Sequence, residues 1–164
     1  MNHKIFIYAA IILSLFIANN SCNNKSTQAK EKDLIKEIVE KYPDGKPKKV
    51  RITNKQTHDF KEIIYYPNGK IYLEGEYTPE HKRKGKWVSY FENGAIKSIA
   101  HFKNGLTDGE IKVYKQNGKL FYNGYYKQGL KEGIWKIYND SGKLGAEVKY
   151  ALDTIVYQKK YFKP

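Results

Sequence analysis

Cysteine is almost absent from this 164-residue chain: Cys22 stands alone, so no intramolecular disulfide can staple the fold. Long apolar runs are scarce too. The longest, residues 5–17 (IFIYAAIILSLFI), holds 13 residues, too few to cross a bilayer comfortably as a helix, and its isolation excludes a polytopic membrane protein. Acidic side chains are outnumbered, 17 against 30 Lys and Arg, for a formal charge of +13. The signatures of common catalytic centres are missing, with neither a Gly-x-Ser-x-Gly elbow nor a phosphate loop. Beyond His3, the histidines His58, His81 and His101 are dispersed without metal-ligand spacing. Carboxylates such as Glu74 with Glu76, or Asp108 with Glu110, could in principle serve glycoside hydrolysis, but such pairs arise freely on solvated strands. The expectation is a protein that is not an enzyme, with no catalytic residue, no metal and no cofactor.

What the chain does have begins at its N-terminus. Lys4 and the apolar run read as the n- and h-regions of a secretion signal. A polar Asn19-Asn20-Ser21 then leads to Cys22. Residues 23–32 (NNKSTQAKEK) lack any apolar side chain large enough to anchor them in a core and read as a flexible spacer. An exported chain this basic is not expected to meet nucleic acid, the usual partner of such charge. An anionic membrane surface or acidic envelope polymer suits the address, and lysines spread over strands also serve solubility and edge protection.

The rest is ordered by a period. Gly69, Gly94, Gly118 and Gly142 are spaced 25, 24 and 24 apart. Tyr65, Tyr90, Tyr114 and Tyr138 keep those intervals, as do Tyr77, Phe102, Tyr126 and Tyr150, while Gly85, Gly109 and Gly133 recur every 24 residues. The extra residue of the first unit therefore lies between Tyr77 and Gly85. A fixed period of this size means a repeat architecture. Within each unit the side chains alternate with period two, as in strands. Leu120, Tyr122, Gly124 and Tyr126 share one face; Phe121, Asn123 and Tyr125 share the other. Asn68-Gly69, Asn93-Gly94 and Asn117-Gly118 suggest tight hairpin turns with positive φ, and the opposite turns, KNGLTDG and KQGLKEG, suggest longer glycine-closed loops. The small column Gly75, Ala100, Gly124 is read as a place where an aromatic from the next strand packs across the sheet. Leu34, Ile35, Ile38 and Val39 suit a short helix face, but Asp44-Gly45 lies 24 residues before Asn68-Gly69, favouring a strand over 36–42 and further strands over 48–53 and 59–66.

Two resemblances rest on these residues. Cys22 after an h-region and Ser21 resembles the lipobox of bacterial lipoproteins, although Asn19 stands where that family usually has an apolar residue. The resemblance implies a lipidated Cys22 and attachment to a bacterial envelope membrane. The repeat, best seen in KNGLTDG (103–109) and KQGLKEGIW (127–135), resembles the MORN repeat in the variant form of YwqK-like proteins, with Ile111 in place of one Trp. That resemblance implies an all-β fold, an elongated single-layer antiparallel meander of hairpins that binds proteins or surfaces. As the alternative function it brings the antitoxin role often attached to YwqK-like proteins, that of an antitoxin or immunity protein that binds and neutralises a toxin partner. The expected organisation is a signal peptide at 1–21, a tether at 22–32, a degenerate N-terminal repeat or cap at 33–64, and hairpin repeats at 65–164. An apolar face left by such a sheet has to be covered by curling, a partner or self-association. Tyr72, Tyr114, Tyr125 and Tyr138, interleaved with Lys112 and Lys136, are expected to be exposed and to suit protein or carbohydrate partners.

Overall fold

Alternating segments of six to nine residues, each closed by a glycine-containing turn, build strands and little else. In a computed structural model, which describes residues 32–161, they do so eleven times. The chain divides into two units, residues 1–32 and Asp33–Pro164, and the sheet belongs to the second. The expected signal peptide, Cys22 and the expected tether up to residue 31 lie outside the described residues. The strands are β1 (Leu34–Lys41), β2 (Pro47–Asn54), β3 (Phe60–Tyr65), β4 (Ile71–Tyr77), β5 (Arg83–Tyr90), β6 (Ile96–Lys103), β7 (Leu106–Tyr114), β8 (Leu120–Lys127), β9 (Leu130–Tyr138), β10 (Leu144–Ala151) and β11 (Thr154–Lys160). They form one open antiparallel sheet in sequential order, and the described residues include no helix. The segment that also suited a helix is strand β1.

The turns are of two kinds, and their assignment reverses the sequence expectation. Around Asn68-Gly69 the loop closes through Tyr66 N–H donating to Lys70 O and Gly69 N–H to Tyr66 O, leaving three residues between the strand partners. Only the glycine is left-handed, at φ 82°. The asparagine instead accepts, its Oδ1 taking the N–H two residues on, 2.9 Å at Lys70 and at Ala95, 3.0 Å at Lys119. The tight two-residue turns are the other set, Asn104-Gly105 and Gln128-Gly129, with both residues at positive φ as a type I′ hairpin requires. The glycines once read as closing a longer loop, Gly85, Gly109 and Gly133, sit inside strands at positive φ beside a register shift, as bulge residues. In the first unit the extra residue widens the two-residue turn to three, with His81 left-handed at φ 59°.

The last two-residue turn has no glycine. Leu152 and Asp153 take φ 46° and 66° in its place, and Leu152 pays with a strained backbone of about 1 kcal/mol. Leu152→Asn, which tolerates that region and leaves the Asp153 contacts intact, is expected to raise stability by about 0.5–1 kcal/mol, read as a higher urea midpoint. Both sheet edges, β1 and β11, carry register shifts that interrupt a flat template for strand addition.

A one-layer sheet has no opposite layer to bury its apolar face, and this one covers the face with its own rings. At β4–β5 three residues, Gly85 to Trp87, stand opposite the single Gly75, because Glu74 pairs with Val88 and Glu76 with Lys84. The bulge swings the Trp87 indole flat over Gly75, where a Cβ would lie 2.2 Å from ring atom Cδ2. Trp135 lies over Gly124 by the same device, again at 2.2 Å. The indoles are 4% and 6% exposed although nothing but side chains of the same face covers them. Tyr77 meets Trp87 edge-on at 4.9 Å and Phe102 lies at 5.8 Å; Tyr126 meets Trp135 at 5.0 Å, with Tyr122 and Tyr150 at 5.9 Å. Arg83 caps the first ring at 4.4 Å and Lys131 the second at 5.3 Å. A third cluster stacks Phe60 on Tyr77 at 5.0 Å under Arg51 at 4.5 Å. The expected aromatic packing across the small column is therefore present at Gly75 and Gly124, whereas Ala100 faces Ile111.

Candidate binding face

The opposite face is built differently. Cross-strand pairing lines up Ile38, Val50, Ile63, Glu74, Val88, Ile99, Lys112, Asn123, Lys136, Glu147 and Lys159 in one row from β1 to β11. Val50 and Val88 are buried, so the first half of this face has an apolar floor. From β7 onward the row is charged and polar.

In the first half, polar groups rise around that floor. Glu74 receives Lys61 Nζ at 2.6 Å and the Tyr90 hydroxyl, which donates at 2.6 Å. Burial and this hydrogen bond push the Tyr90 phenol up to about 12. Burial pulls the Glu74 carboxyl upward, but the Lys61 ammonium and the Tyr90 hydroxyl outweigh it and leave it below its ordinary value. Lys84 beside Asp59 likewise holds that carboxyl down. An open cleft of about 440 Å³ lies here, lined by Leu34, Ile52, Phe60, Lys61, Glu76 and Lys84.

The signs of the two shifts give a pH prediction. The raised phenol contributes stability below its ordinary 10.0 and loses it as pH rises through about 12. The lowered Glu74 contributes above its ordinary 4.5 and loses it as pH falls through the folded value. Tyr90→Phe is expected to flatten the fall of the urea midpoint between pH 10 and 12, and spectrophotometric titration of Glu74→Gln should bring one late-ionising tyrosine to lower pH.

The acids considered for hydrolysis are held in structural contacts. Glu74 is engaged as above, and Glu76 shares its face, paired across to Lys61 and Lys84. Asp108 Oδ2 accepts the Gln128 N–H at 3.3 Å, and Glu110 meets Lys112 at 2.9 Å. His81 packs on Phe60 at 5.0 Å, His101 Nδ1 lies 3.0 Å from Glu110 O, and His58 forms a turn. Among the described residues no three His, Cys, Asp or Glu side chains gather as a metal site would need.

The second half carries exposed apolar side chains. Tyr125 is 46% exposed, Phe121 43%, Ile134 56% and Tyr157 52%, with Lys136 and Lys149 between them on the same face. Tyr72, on the first half, is 40% exposed. Tyr114 and Tyr138, expected to be open, are half-buried: each ends its strand at a register shift next to a turn, which folds its ring against neighbours. Phe121, Ile134 and Tyr157 were missed by the sequence reading; continuing the alternation one strand further would have placed Tyr157 there. Asn123 sits in the middle of this area with a buried Oδ1 that accepts no hydrogen bond.

Comparison with known proteins identifies the family. A family model described as MORN repeat variant matches residues 61–78, 83–104, 107–128 and 131–151, each the hairpin around one three-residue turn. No curated protein matches the chain.

Proposed function

The chain belongs to the MORN repeat variant family, and from that premise we propose that it is a non-enzymatic binding scaffold, held at a bacterial envelope membrane by a lipid on Cys22. Repeats of this family generally mediate protein or membrane binding, and the all-β repeat fold is typically a scaffold rather than a catalyst. The observation that carries the reading is the asymmetry of the sheet. On one face the aromatic rings are stacked on each other and the two indoles are buried, whereas the other leaves Tyr125, Ile134 and Tyr157 about half exposed among lysines. Exposed rings of this kind supply contact area at low conformational cost, and the lysines favour an acidic partner surface. The partner is a protein or an anionic envelope surface, not nucleic acid, and the N-terminal run and Cys22 support the membrane address.

Pull-down from solubilised envelope membranes tests the face. Wild type and a Tyr125→Ala, Tyr157→Ala variant are compared under the same salt. The reading expects a captured species that the variant loses by tenfold or more, the scale of a hot-spot residue. Identical capture by both proteins would place binding elsewhere.

A further inference from the structure

Successive hairpins of this sheet are tied to each other by three side-chain devices besides the main-chain ladder. The first is the ring stack on the indole face: a glycine, the indole lying on it and a cation over the indole. It occurs as Gly75, Trp87 and Arg83, and again as Gly124, Trp135 and Lys131. The second is a tyrosine hydroxyl reaching from one three-residue turn to the strand end entering the next. Tyr42 donates to Tyr65 O at 2.8 Å and Tyr66 to Tyr90 O at 2.9 Å. The third is a lysine crossing between neighbouring turns. Lys70 Nζ donates to Asn93 O at 2.9 Å, and Lys119 Nζ to Asp140 O at 3.2 Å, with Lys115 meeting Asp140 at 2.6 Å.

All three are missing at one place. Between β6 and β7 the three stack positions are Ala100, Ile111 and Thr107, so there is no indole and no cation. The bulge is displaced by one residue, opposite His101, and Ala100 faces Ile111 in register. The turn at 91–95 begins with Phe91, which has no hydroxyl to send to Tyr114 O. It ends in Ala95, which has no ammonium to reach the turn at 115–119. The geometry records the gap: a Cβ on Gly94 or Gly142 would meet a lysine Cδ at 3.7 Å, but one on Gly118 would meet nothing within 4 Å. Across this boundary run the ladder, from Ser98 with Val113 to Lys103 with Leu106, the His101 contact to Glu110 O at 3.0 Å, and the packing of His101 against Gly109, where a Cβ would lie 2.9 Å from His101 Cβ.

We propose that the β6–β7 boundary is a built-in joint, dividing the sheet into two cooperative blocks, 33–103 and 106–161, that bend and open against each other while each keeps its own ring stack. The stability of a repeat array is a sum of unit terms and nearest-neighbour interface terms, so one interface stripped of three ties is where the array comes apart first. Sub-global opening then follows that boundary rather than the ends alone. Each block holds one tryptophan with its cap, and the joint lets the two halves of the exposed face meet a partner at different angles. The inference stands on the fold and does not depend on what the face binds.

Native-state hydrogen exchange of the full chain tests it. Amides of Ile99 and Lys112, which point across this boundary, are expected to open at least about tenfold faster than those of Val88 and Lys136, tenfold being the worth of one lost tie. A second protein restores the ties at the turn end, with Phe91→Tyr and Ala95→Lys. Its difference should shrink by at least half on a logarithmic scale, and a two-step urea transition of the wild type should merge toward one. Uniform protection across all central strands of the wild type overturns the proposal, as does a folded restored protein whose exchange pattern is unchanged. If the restored protein does not fold, the wild-type profile alone decides.

Discussion

Gly124→Ala is expected to destabilise the protein by about 1–3 kcal/mol, a large effect for one methyl group, because that methyl would lie 2.2 Å from Cδ2 of the Trp135 ring. The clashing atom is at the fused centre of the indole, not at the end of a flexible chain, so relief requires lifting the ring off the strand and losing its edge contacts with Tyr126 and Tyr150. Trp135→Ala, which removes the ring, should cost about 3–5 kcal/mol. The informative protein is the double variant Gly124→Ala, Trp135→Ile, which copies the natural Ala100 and Ile111 pair. Its cost should fall short of the summed costs of Gly124→Ala alone and Trp135→Ile alone by 1 kcal/mol or more, the signature of residues in contact. Urea unfolding followed by far-UV circular dichroism, which does not depend on the lost tryptophan, reads all four corners of the cycle. Simple additivity would mean that the ring does not rest on the glycine.

That column was legible before the structure, and it shows what sequence can and cannot give. The 24-residue period located the strands, since two strands, a two-residue turn and the five residues that hold each three-residue turn with its closing pair fill one period. The smallness of Gly75 and Gly124 announced a close approach from the next strand, and the indoles supply it. Turn type was not legible from the dipeptide, because Asn-Gly occurs in both kinds. At Asn104-Gly105 the flanking strands pair right up to it and both residues are left-handed; at Asn68-Gly69 the partners are Tyr66 and Lys70, and only the glycine is. Loop length is fixed by where cross-strand pairing stops, a non-local property. The same holds for the bulge glycines, whose role appears only once Gly75 is seen opposite three residues. The candidate face was half legible. Alternation put Tyr72 and Tyr125 outside correctly, but it carries no information about register shifts, so Tyr114 and Tyr138 were placed in solvent when they fold against the sheet. How the apolar face is covered was not readable either, since it depends on indoles lying flat, a consequence of bulge and glycine together.

Cys22→Ala is the other substitution with a large expected effect, and it bears on the address rather than the fold. Stability is expected to change by less than about 0.5 kcal/mol. Membrane attachment should be lost almost entirely. A lipidated cysteine carrying two or more acyl chains anchors stably, because each buried CH₂ adds about 0.8 kcal/mol, whereas the lysine-rich face by itself gives only salt-sensitive adhesion. The most direct measurement is metabolic palmitate labelling of the full chain and of Cys22→Ala, followed by membrane fractionation in high salt. The account predicts label and membrane retention for the wild type and neither for the variant. Label or salt-resistant membrane retention that persists without Cys22 would contradict it.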